Sequence, residues 1–121
     1  MKENSQPMPL DERTFIFAQN VRIFVAQLPK TTSNQEDIKQ VVRSSGSVAA
    51  NYIEANEALS KKDFILRMKI CRKEAKESRL WLRLFDCGEH EQLGKKRLAL
   101  IQESGELMLI FNAIITKSDS N

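Results

Sequence analysis

The stretch KKDFILRMKICRKEAKESRLWLRLFDC, residues 61–87, decides the fold. Phe64, Met68, Cys71, Ala75, Ser78, Leu82 and Phe85 recur in it at alternating steps of four and three, which keeps them on one face of an α-helix. Ser60 stands in front of the run as an N-cap and Gly88 behind it as the expected terminator, so a helix is expected from there to about Asp86.

Three further segments carry the same period. Phe17, Val21, Phe24 and Leu28, with Ala18 and Val25 beside them, predict a first helix from an Asp11 cap to about Leu28, closed by Pro29. Ser33 or Asn34 is the expected cap of a second helix, whose apolar face is Ile38, Val41, Val42, Val48, Ala49, Tyr52 and Ile53. Beyond Gly88 a fourth carries Leu93, Leu100, Ile101, Leu107, Met108, Phe111, Ile114 and Ile115. Four amphipathic helices on short connections predict an all-α fold, an antiparallel up-down-up-down four-helix bundle. The bundle is expected over residues 11–117, with a mobile polar tail at 1–10 and a frayed end at 118–121.

The composition agrees with one helical domain. In 121 residues, 41% hydrophobic and 29% charged, there are only 4 Gly and 3 Pro, too few turn residues for an all-β fold. Cys71 and Cys87 lack CxxC spacing and are expected as free thiols. No apolar run is read as a membrane span and the start lacks a signal-peptide core, so a cytoplasmic protein without membrane association is expected.

The second helix contains an unusual run of small residues, Ser44, Ser45, Gly46, Ser47, Ala49 and Ala50. A glycine inside a helix costs on the order of 1 kcal/mol relative to alanine, so the run predicts a close helix crossing with serine hydroxyls turned onto backbone carbonyls. Asn51, Glu54, Glu74 and Glu77 are expected in a polar network there, with Arg43 or Arg79 as carboxylate partners. Carboxylates on facing helices suggest a di-iron site, but such sites need Glu-x-x-His pairs and His90 is the single histidine. No metal, cofactor or catalytic residue is expected.

Net charge is +3 and the isoelectric point about 9.0. Lys62, Lys69, Arg72, Lys76, Arg79 and Arg83 fall on one line of the third helix, and Lys95, Lys96 and Arg97 open the fourth. Such a line can track a phosphate backbone; it can equally solvate an outer face and pair with Glu74, Glu77 and Asp86. No aromatic residue interleaves with the cations, so base stacking is not indicated. Phe15, Ile16, Ile23, Ile65, Leu66, Ile70, Leu80, Trp81 and Leu84 remain beyond the core stripes, and this apolar surplus predicts a contact with another chain.

Residues 43–85, RSSGSVAANYIEANEALSKKDFILRMKICRKEAKESRLWLRLF, together with FAQNVRIFVAQLP at 17–29, resemble the four-helix bundle proteins of the 23S rRNA intervening-sequence, or S23, family over roughly residues 15–115. The resemblance rests on the SSGS–AxN–EA run, the KDF step and the KEAKES–WL run in that order. It implies a bacterial, noncatalytic protein, a left-handed bundle and a homopentameric ring. A related accessory protein of diversity-generating retroelements pairs a basic pentamer with nucleic acid and reverse transcriptase. The expected function is therefore binding of RNA or DNA by an oligomeric bundle; the alternative is a protein-interaction scaffold or accessory subunit without nucleic-acid binding, its basic face meeting an acidic partner or only water.

Overall fold

The computed structural model describes residues 8–120. Four helices follow in order: α1 Leu10–Val25, α2 Thr32–Asn56, α3 Lys61–Leu84 and α4 Glu91–Asp119. Each packs antiparallel to the next. Ser44 meets Ser78 while Asn51 meets Arg67, so α2 rises as α3 descends; Arg97 meets Phe85 while Arg72 meets Asn112, and α4 rises again. Then α1 closes the ring against α4, with Arg13 at Glu103 and Gln27 at Lys96. The pairs α2–α3 and α3–α4 pack most extensively and α1–α4 least. The reason lies in length: 16 residues of α1 span about 24 Å, against about 43 Å for the 29 of α4.

The core fills the space between the four apolar stripes. Phe17, Val21 and Phe24 of α1, Val41 and Val48 of α2, Met68, Cys71 and Leu82 of α3, and Leu107 and Phe111 of α4 are all at most 1% exposed. Phe24 meets Phe85 edge to face, with ring centroids 6.1 Å apart. Both cysteines are free and buried, and burial pushes the Cys71 thiol up to about 12. Ile53 departs from its expected place and is largely exposed. It lies five residues beyond Val48, about 140° around the helix, too far for the core face.

The ends differ from expectation in instructive ways. Asp11 lies inside the first turn of α1, where its Oδ1 accepts from the Glu12 amide, and Pro9 occupies the cap position without a side-chain bond. Thr31, rather than Ser33 or Asn34, caps α2 by accepting from the Asn34 amide. The Asn34 side chain has another task. It donates to the carbonyls of Pro29 at 2.9 Å and Asp86 at 2.8 Å and accepts from the Asp86 amide at 3.0 Å, tying two interhelical links at one end of the bundle. Ser60 caps α3 through the Asp63 amide as expected.

Helix α1 ends at Val25, although Leu28 still packs into the core after a turn. Helix α3 ends at Leu84 because Phe85 is extended. Gly88 therefore does not terminate α3; it supplies a left-handed φ of 67° inside the link, where a Cβ would also press on Pro29 at 3.3 Å. Helix α4 continues through Asp119, so Ser118 and Asp119 of the expected end segment are helical. Of the expected tail, residues 1–7 lie outside the described residues, and Leu10 already begins α1.

By length and composition α4 does contain an apolar window of mean hydropathy 1.5, long enough to cross a membrane, contrary to the expectation that no segment reaches this. In the bundle the same helix gives Leu100, Leu107, Phe111 and Ile115 to the core and Glu103 and Glu106 to Arg13.

Candidate nucleic-acid interface

The small-residue run of α2 brings Ser44 against α3. Ser44 and Ser78 approach to a 2.7 Å hydrogen bond between hydroxyls, both without solvent exposure. Ser44 also reaches the Val41 carbonyl, and buried Ser45 the Val42 carbonyl. Gly46 faces α1 instead, and a Cβ there would stand 3.2 Å from Arg22 Nη2, whose guanidinium donates to the carbonyls of Val42 and Ala18. Ala50 is exposed and takes no part in the crossing.

With α2 and α3 this close, their polar groups engage each other. Arg43 lies 3.4 Å from Glu74 and 3.3 Å from Glu77. The Glu74 side chain is 7% exposed, so this guanidinium compensates a buried charge. Asn51 donates to the Ser47 carbonyl and hydroxyl and accepts from Arg67 Nη1 at 3.1 Å. Glu54 is exposed and stands outside this network, a correction to its expected place. It lies six residues beyond buried Val48, about 120° around the helix from the core face. Arg79, the other expected carboxylate partner, lies instead over Gly105 of α4.

The basic line of α3 is separate from these pairs. Among the described residues no ion pair involves Lys62, Lys69, Arg72, Lys76, Arg79 or Arg83. Glu74 and Glu77 are turned to Arg43, and Asp86 accepts from the Gly88 amide. The line itself divides in two. Half-buried Arg72 and Arg79 lean on α4, with Arg72 donating to Asn112 at 2.7 Å. Lys62, Lys69, Lys76 and Arg83 are exposed, seven residues apart, hence about 10 Å from one to the next. Lys62 and Lys69 also border an open groove of about 790 Å³ with Ile65, Leu66 and Asp119.

The expected second cluster is dispersed. Lys95 stands 3.9 Å from Glu91, Lys96 donates to Gln27, and half-buried Arg97 donates to the Phe85 carbonyl. Arg97 thus satisfies a carbonyl at the open end of α3 and is not free for a phosphate. The apolar surplus is also divided. Phe15 and Ile23 are exposed on α1, and Leu66, Leu80 and Leu84 on α3, and these two helices are not neighbours in the bundle. Ile65 and Trp81 pack against the core, while Ile16 and Ile70 are half-buried. Leu98 and Leu109 of α4 are exposed as well, although the apolar surplus read from the sequence lies on α1 and α3 alone. Among the described residues no group of three His, Cys, Asp or Glu could hold a metal ion.

Comparison with known proteins agrees with this architecture. A crystal structure of a protein of unknown function from the S23 ribosomal protein family of Bacteroides thetaiotaomicron superposes with a TM-score of 0.73 at 26% identity, covering 88% of this chain and 98% of that one. Among curated proteins nothing matches the chain. The model of the 23S rRNA-intervening sequence protein family matches residues 11–107, and the chain belongs to that family.

Proposed function

We propose that this chain is a noncatalytic helical bundle that binds RNA or DNA along α3, through Lys62, Lys69, Lys76 and Arg83. The observation that carries this reading is their freedom from ion pairs among the described residues: no carboxylate of α3 stands three or four positions from any of the four, and Glu74 and Glu77 face Arg43 on the neighbouring helix. Four cations spaced along about 30 Å of helix suit a polyanion, and each phosphate neutralised releases counterions. The aromatic residues of α3, Phe64 and Trp81, are half-buried, so recognition is by charge and shape. The family's name, with its reference to 23S rRNA, agrees with RNA as the polyanion.

In a homo-oligomer, a pentamer on the family resemblance, the row repeats around an axis and weak contacts act together. Exposed Phe15 and Ile23 on α1 supply apolar surface for such a contact. Electrophoretic mobility of a structured RNA and a DNA duplex, measured from 50 to 200 mM salt, tests the proposal. Binding that weakens steeply with salt supports it, and no retardation even at 50 mM salt refutes it.

A further inference from the structure

Phosphate binding leaves one exposed feature of α3 unused. Leu66, Ile70, Lys73, Glu77, Leu80 and Leu84 follow one another at steps of four, three, four, three and four, the repeat by which one helix meets another in a coiled coil. Leu66, Leu80 and Leu84 are 46–56% exposed. Met68, Cys71, Ala75, Ser78 and Leu82 hold the opposite face of α3 in the core, so among the described residues no other helix covers this ridge.

Charge decides what can cover it. In a coiled coil the positions flanking the seam select the partner. One flank of the ridge is Arg67, Glu74 and Trp81, already engaged with Asn51, with Arg43 and with the core. The other is Lys62, Lys69, Lys76 and Arg83, all cationic and all open. A second α3 laid antiparallel would set Lys73 against Glu77 and leucine against leucine, yet it would also bring the two cationic flanks together. Laid parallel, it would stack Lys73 on Lys73 and Glu77 on Glu77. Both arrangements juxtapose like charges, which suppresses a pairing of α3 with α3; in a ring, which joins unlike faces, Phe15 and Ile23 of α1 offer apolar surface instead.

We propose that the ridge is a docking seam for an amphipathic helix of a partner protein, with an apolar heptad along the seam and Asp or Glu on the flank facing Lys62, Lys69, Lys76 and Arg83. Lys73 and Glu77 form a charged layer in the middle of the seam and fix the register, and Arg43 already holds Glu77 in place. This inference does not rest on nucleic-acid binding: the cations are common to both, whereas the leucines serve the helix alone.

The test is fluorescence anisotropy with four probes: a labelled 24-residue helical peptide with Leu at heptad positions and Glu on its flanks, the same peptide with Lys for Glu, a polyglutamate of equal length, and an RNA duplex. The acidic amphipathic peptide is expected to bind at least tenfold more tightly than either other peptide. The double variant Leu66→Gln/Leu80→Gln, both sites exposed, is expected to lose that binding tenfold or more while its melting curve and RNA affinity stay as in the wild type. Peptide binding without RNA binding would leave this inference standing and remove the nucleic-acid proposal. Three results would overturn it: polyglutamate binding as tightly as the amphipathic peptide, a double variant that binds the peptide normally, or a wild-type oligomer of any size in light scattering that the double variant reduces to the monomer.

Discussion

Ser44 of α2 and Ser78 of α3 are joined by a 2.7 Å hydrogen bond between two fully buried hydroxyls. The small side chains leave room only for each other, while Ala50, six residues further along α2, faces solvent. Leucine at position 44 is therefore expected to overpack the crossing and cost about 1 to 3 kcal/mol, whereas Ala50→Leu should stay within about 0.5 kcal/mol of wild type. Urea unfolding of the two variants separates them, and equal midpoints would contradict a close crossing at Ser44.

A second expectation concerns Asn34, which is 1% exposed and bonds both Pro29 and Asp86. Asn34→Ala leaves two carbonyls and the Asp86 amide short of a partner at the joined ends of α1, α2 and α3. At about 1 kcal/mol for each of three bonds, a loss near 3 kcal/mol is expected. Thermal unfolding measures it, and hydrogen exchange should quicken first in the links around Pro29 and Asp86.

The α1–α4 contact carries a pH dependence. Arg13 reaches Glu103 at 2.7 and 2.9 Å and Glu106 at 2.7 Å. Bonds from Gln102 and then from Arg13 hold the Glu106 carboxyl below its ordinary value of 4.5. A depressed carboxyl contributes stability that is present above its unfolded value and lost as pH falls through the folded one. Stability should thus decline on acidification below about pH 4.5, and Glu106→Gln should flatten that part of the curve. Urea midpoints at pH 7, 5, 4 and 3 test this; identical slopes in variant and wild type would exclude Glu106 as a contributor.

The helices were legible in the sequence because burial repeats every three or four residues, and Phe64 to Phe85 already draws the inner face of α3. The caps were less so. Asp11, Ser33 and Asn34 are all good capping types, and only their backbone setting reveals that Pro9 and Thr31 hold the cap positions. The basic line was also visible, but its division was not. Whether Arg72 and Arg79 lean on α4, and whether Glu74 and Glu77 neutralise the line or turn to Arg43, depends on partners 26 to 40 positions away. No local pattern encodes that, nor the pairing of Arg13 with Glu103 ninety residues on.

The free cationic row is the central claim, and the salt dependence of duplex binding measures it most directly. If Lys62, Lys69, Lys76 and Arg83 each neutralise one phosphate, the logarithm of affinity for a DNA duplex should fall against the logarithm of salt with a slope of about −3 to −4 for each bound copy, and replacing any one by Gln should reduce the slope by about 1. Arg97→Gln, already committed to the Phe85 carbonyl, should leave the slope unchanged. A slope near zero, or one that the four substitutions do not alter, would contradict the assignment of α3 as the interface.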